Sequence, residues 1–245
     1  MGIWTEFGAA ASVDWCEPNY VLTTWIAEWW NTLSSLLIVA LGVHGWLRCR
    51  RERAEPRFLF CFMTMAVVGA GSAAFHATML QVAQALDELP MIYGGLGLLY
   101  CLVNGRLESP QRERRWTVGL VIYALLFTVC YFSMRSYFTL FIISYALIIT
   151  AIVLGAAKLS FSSAGSPTHR RLFSLGAGSF CAGVFLFWFP EHVFFACDHP
   201  VQALHLHAWW HVLAAIGTYA GIRFAVYDRQ AVRQTAPPAA QPANG

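Results

Sequence analysis

The chain has 245 residues, 58% of them hydrophobic and only 12% charged, with a formal charge of +3. A water-soluble domain carries roughly 25% charged residues, so an ordinary soluble globule is excluded and an all-α protein that crosses a membrane several times is expected. The small positive charge gives no reason to expect a nucleic-acid partner, because the basic residues sit between apolar runs, where they act as topology signals.

Residues 1–30 lack a basic n-region and contain Asp14, Glu17 and Glu28, so no cleavable signal peptide is expected. Seven spans are predicted, at 31–47, 58–79, 83–103, 116–132, 138–157, 172–190 and 205–227, each near the ~20 residues that cross the hydrocarbon core. The third, with Asp87, Glu88 and Pro90, reads as the least apolar. Every basic residue except Arg135 follows span one, three, five or seven, or lies at the end of that span. The positive-inside rule then puts the N-terminus outside or in a lumen and the C-terminus in the cytosol. The chain divides into a lumenal segment 1–30, a seven-transmembrane helix bundle 31–230 and a cytosolic tail 231–245. The tail is rich in Pro, Ala and Gln and is expected to be disordered.

This topology selects residues for one membrane side. His76 lies near the lumenal end of span two, with Ser72 one turn before it. Asp87 lies near the start of span three, and His207 and His211 near the start of span seven. Residues four apart share a helix face, so His207 and His211 form a pair that His76 can complete. Three histidines hold zinc and leave a fourth position for water, whose pKa the metal lowers. Asp87 is the candidate general base and acid, and Ser72 the candidate donor to a developing oxyanion. The plainer reading of Asp87 and Glu88 is a pair of acids favourable to a helix start. In the N-terminal segment, Asp14, Glu17, Asn19 and Glu28 are oxygen donors at the short, irregular spacing that suits calcium, although acidic lumenal loops are common without an ion. His44, His169, His192, His199 and His205 read as peripheral. Trp29, Trp30, Trp209 and Trp210 read as an interfacial aromatic belt. Cys16 and Cys197 fall on the lumenal side, where disulfides are permitted.

Several long stretches resemble the alkaline ceramidase family, in particular the branch with alkaline ceramidase 3 and yeast phytoceramidase. They are Asp14, Trp15, Cys16 and Glu17 with Asn19, then the runs 27–31, 71–76 and 86–93, and finally His207, Ala208, Trp209, Trp210 and His211. The resemblance covers nearly the whole chain. It implies a hydrolase that cleaves the amide of phytoceramide, dihydroceramide or unsaturated ceramide to a sphingoid base and a fatty acid. It implies zinc on His76, His207 and His211, catalytic roles for Ser72 and Asp87, and a Cys16–Cys197 disulfide. It further implies calcium on Asp14, the Trp15 carbonyl, Glu17, Asn19 and Glu28. The expected partners are the bilayer and its ceramide, with no obligate protein partner. The expected location is the endoplasmic reticulum or Golgi membrane, or a microbial plasma membrane. The rival class is a seven-helix receptor of the progestin and adiponectin type, which also uses three histidines on zinc but binds a ligand without fast turnover.

Overall fold

A computed structural model describes residues 3–104, 109–134, 137–193 and 200–235. Among them the architecture is all-helical. The long helices are α1 (Trp29–Arg51), α2 (Pro56–Thr78), α3 (Gln81–Asn104), α4 (Pro110–Ser133), α5 (Tyr137–Phe161), α6 (Pro167–Gly183) and α7 (Leu206–Thr235). After Gly183, α6 widens into a π-helical turn at Val184–Trp188 and ends with Phe189–Val193. Short 3-10 turns occupy Ile3–Glu6 and Pro200–Leu204.

The starts and stops follow local chemistry. Pro opens α2, α4 and α6, where its missing N–H costs nothing. Ser166 caps α6, in a reciprocal box with His169. Met79 takes a left-handed conformation, φ 54°, and ends α2. His205 does the same, φ 46°, immediately before α7. The carbonyls left open at the end of α2 are taken by the N-terminal segment: Ala27 N–H donates to Ala77 O, and Glu28 N–H to His76 O, both at 2.9 Å.

Six helices, α1 to α6 with its extension to Val193, are long and apolar enough to cross a membrane, which makes the chain a multi-pass membrane protein. The third helix, read as the least apolar, has the lowest mean hydropathy of these six, and α7, expected as a seventh span, falls outside the set. The reason is its composition: His207, Trp209, Trp210, His211 and Arg223 all lie within the expected span 205–227. Outward-facing Leu125, Val129, Leu147 and Leu154 form a large exposed apolar surface, which suits lipid and not water.

Small residues let the helices approach. A Cβ on Gly42 would lie 2.6 Å from the Ala66 nitrogen, and one on Gly69 would lie 2.5 Å from the Val39 nitrogen, so α1 and α2 meet backbone to backbone. At the end opposite the N-terminal segment, ion pairs tie the α1–α2 connection to α7. Glu52 binds Arg223 at 2.7 and 3.1 Å, and Glu55 binds Arg229 at 2.8 Å and Arg233 at 2.7 Å. Burial raises both carboxyls, but hydrogen bonds from Arg223 and Arg48 outweigh it at Glu52, and those from Arg229 and Arg57 outweigh it at Glu55. Both carboxyls therefore lie below their ordinary value. These pairs also explain why α7 runs two turns beyond the expected residue 227. His169, read as peripheral, is buried in the first turn of α6, with Nε2 3.1 Å from Asp228 Oδ1. Residues 231–235 of the expected disordered tail are helical, as the last turn of α7, and the rest of that tail lies outside the described residues.

Candidate active site and metal centre

α2 carries Ser72 and His76 on one face, and the first turns of α7 carry His207 and His211. The three histidine side chains are buried, and one nitrogen from each lies within 4.8 Å of the others. Ring centroids are 5.1 Å apart for His76–His207, 4.9 Å for His76–His211 and 4.6 Å for His207–His211. Among the described residues this is the one group of three or more His, Cys, Asp or Glu side chains close enough to share an ion.

The Nδ1 atoms face outward from this group. His76 Nδ1 is bonded to Glu28 Oε2. His211 Nδ1 lies 2.9 Å from Ser34 Oγ and 3.4 Å from Ser35 Oγ. His207 Nδ1 lies 3.6 Å from Glu191 Oε2. His76 Nε2 is buried without a hydrogen-bond partner. A buried polar nitrogen in that state is costly, and a cation held by three imidazoles would satisfy it. The donor set thus fits a borderline metal. Trp15 stacks on His207, centroids 3.8 Å apart, and closes the site from the N-terminal side.

Ser72 is buried, and its Oγ shares a 3.0 Å hydrogen bond with Ser35 Oγ. Asp87 comes from α3 and is half-buried. Gly71 sets its position: a Cβ there would lie 2.2 Å from Leu86 O and 2.8 Å from Asp87 N, so only glycine lets α3 pass this close to Ser72. Ser72, Asp87, His207 and His211 line the same cavity of about 480 Å³. Its remaining wall is mainly apolar, including Met65, Phe141, Ile149, Val153 and Phe180. The neighbouring acid has a different environment. Glu88 accepts from Gln84 Nε2 at 2.7 Å and from Tyr131 Oη at 2.7 Å, which occupies both its oxygens. Gln84 in turn accepts from the Ser12 N–H at 2.8 Å. Glu88 therefore joins α3, α4 and the N-terminal segment, and is not a helix-start acid.

The oxygen donors expected to take calcium separate into two groups. Asp14 accepts from Asn19 Nδ2 at 3.0 and 3.2 Å in an exposed pair. Glu17 and Glu28 are buried at the start of α1. Glu17 accepts from the Trp30 and Asn31 N–H groups at 2.7 and 2.9 Å, so a remote carboxylate caps the helix. Glu28 accepts from the Trp15 N–H at 3.0 Å and from Asn31 Nδ2 at 3.1 Å. Cys197, the expected disulfide partner of Cys16, and His199 lie outside the described residues.

The fold also supplies partners that sequence reading missed. Ser34, Ser35 and Glu191 touch the histidines from α1 and α6, and Glu28 touches His76 directly. No spacing signal pairs them, because each contact joins residues far apart in the chain. One reading of the aromatic belt also changes. Trp210 is buried edge-on against Phe180, centroids 5.1 Å apart, whereas Trp209 is exposed. His192 is exposed, as its peripheral reading expects, and its ring stacks on Trp188, centroids 5.1 Å apart.

Comparison with known proteins adds to this geometry. The family model described as Ceramidase matches residues 8–240. Alkaline ceramidase 3 of Mus musculus is 32% identical over 231 residues, covering 89% of this chain and 84% of that protein. An alkaline ceramidase of Saccharomyces cerevisiae is 30% identical, covering 89% and 76% of the two chains. One from Arabidopsis thaliana is 27% identical, covering 93% and 88%. A match of this extent, over a seven-helix chain with a buried three-histidine centre, means that the protein belongs to the Ceramidase family and is an enzyme of that family.

Proposed function

We propose that the chain is a zinc-dependent amide hydrolase that cleaves ceramides into a sphingoid base and a free fatty acid. The observation that carries the reading is the cluster of three buried histidines, two of which, His207 and His211, line an apolar cavity together with Ser72 and Asp87. The names of its relatives supply the substrate class. His76, His207 and His211 hold the zinc, which when bound supplies Lewis acidity toward a carbonyl oxygen and toward water. The apolar wall takes the two hydrocarbon chains of a substrate that partitions into lipid. Ser72 donates a hydrogen bond to the amide oxygen as negative charge develops there. Asp87 accepts a proton from the attacking water and delivers it to the leaving nitrogen.

The same reading makes α7 a seventh span, with the N-terminus lumenal or outside and the C-terminus cytosolic. It assigns calcium to Asp14, the Trp15 carbonyl, Glu17, Asn19 and Glu28, a disulfide to Cys16 and Cys197, and an endoplasmic reticulum, Golgi or microbial plasma membrane to the protein. The test is release of fatty acid from a ceramide panel by the detergent-purified chain, with zinc measured on the same samples. About one zinc per chain, loss of zinc and turnover in His207→Ala, and loss of turnover alone in Asp87→Ala are expected. Bound zinc with no cleavage of any ceramide would refute the hydrolase assignment and favour a receptor.

A further inference from the structure

One polar contact at the site has no role in the chemistry above. Glu191 lies in the last turn of α6 and is 6% exposed. Its Oε2 is buried without a hydrogen-bond partner, and so is His207 Nδ1. These two atoms are 3.6 Å apart. Their separation is just beyond a hydrogen bond, and each is the complement the other lacks.

The backbone explains how a carboxylate reaches this position. In the turn Val184–Trp188 the Phe189 N–H bonds to Val184 O, five residues back. Such a turn contains one extra residue, which rotates every later side chain by about 100° relative to an uninterrupted helix. Pro190 has no N–H to extend the regular ladder. Without the wide turn, Glu191 would point about a quarter-turn or more away from α7. The carboxylate also accepts from the Cys16 backbone N–H, which fixes it from the other side.

We propose that Glu191 is a positioning residue for His207. It holds the Nδ1–H tautomer and ring orientation, so that Nε2 is presented to the metal. His76 has Glu28 in this role and His211 has the Ser34 and Ser35 hydroxyls, so Glu191 completes the set of three. The proposal rests on the metal reading given under Proposed function.

The experiment uses the full chain in detergent, as wild type, Glu191→Gln and Glu191→Asp. Zinc affinity is measured by competition with a chelator, the visible spectrum is recorded after cobalt substitution, and thermal unfolding is followed without metal. Glu191→Gln keeps the volume and removes the charge. It is expected to weaken zinc binding about 10- to 100-fold, to shift the cobalt bands, and to leave metal-free unfolding unchanged. Glu191→Asp is expected to regain part of the affinity. Wild-type affinity and spectrum in Glu191→Gln would overturn the proposal and leave the metal reading standing. A loss that tracks lower metal-free stability, or no recovery in Glu191→Asp, would also overturn it. A wild type that binds no zinc removes the metal reading and this inference together.

Discussion

Gly71→Ala tests how the distance between α2 and α3 sets the site. The added Cβ would lie 2.2 Å from Leu86 O, 2.5 Å from Leu86 C and 2.8 Å from Asp87 N. All three are backbone atoms, so no flexible side chain can swing aside. An ordinary contact begins at about 3.4 Å, so α3 must move by about 1.2 Å. α2 cannot yield instead, because Gly69 already holds it against the α1 backbone at Val39. Overpacking costs about 1–3 kcal/mol, and the better helix propensity of Ala returns about 0.5–1 kcal/mol, so the net effect is destabilising. At ~2–4 °C per kcal/mol for a chain of this size, the melting temperature should fall by several degrees. The larger effect is on turnover. Moving Asp87 by about 1 Å from Ser72 should lower kcat about 100-fold. Zinc content should be preserved, since none of the three histidines lies on α3. Turnover, zinc content and thermal unfolding are read on the same preparation. Normal turnover would refute the claim that Gly71 places Asp87, and loss of zinc would refute the claim that α3 moves while the metal centre stays fixed.

Glu28→Gln removes the carboxylate bonded to His76 Nδ1 and should weaken zinc binding about 10- to 100-fold; chelator competition measures this, and unchanged affinity would show that His76 needs no orienting carboxylate. Tyr131→Phe deprives buried Glu88 of one hydrogen bond and should cost about 1–3 kcal/mol; a melting temperature equal to wild type would argue that the Glu88 network contributes nothing to stability. Glu52 and Glu55 have folded pKa values below their ordinary value. Their stabilisation is therefore present above the unfolded value of about 4.3 and is lost as pH falls through the lower folded values. In acid titration followed by circular dichroism, Glu52→Gln should be less stable than wild type at neutral pH and should converge with it in acid; a constant difference at every pH would contradict the pairing with Arg223.

Seven helical segments were legible in the sequence, because an apolar run of about 20 residues broken by Arg-rich connections has one compact solution in a bilayer. The i,i+4 spacing of His207 and His211, and the alternation of the loops, also assign His76, Ser72 and Asp87 to one end from the sequence alone. Local pattern could not separate Asp87 from Glu88. They are adjacent in sequence and both line the cavity with Ser72, and only the surroundings that α4 and the N-terminal segment supply engage both oxygens of Glu88 in hydrogen bonds. Nor could it tell that Glu17 caps α1, that Glu28 reaches His76, or that a wide turn swings Glu191 toward His207. Helical periodicity records which residues share a face of one element. Which faces meet, and at what distance, depends on small residues such as Gly69 and Gly71 and on turns that shift register, so those contacts exist only once the helices are packed.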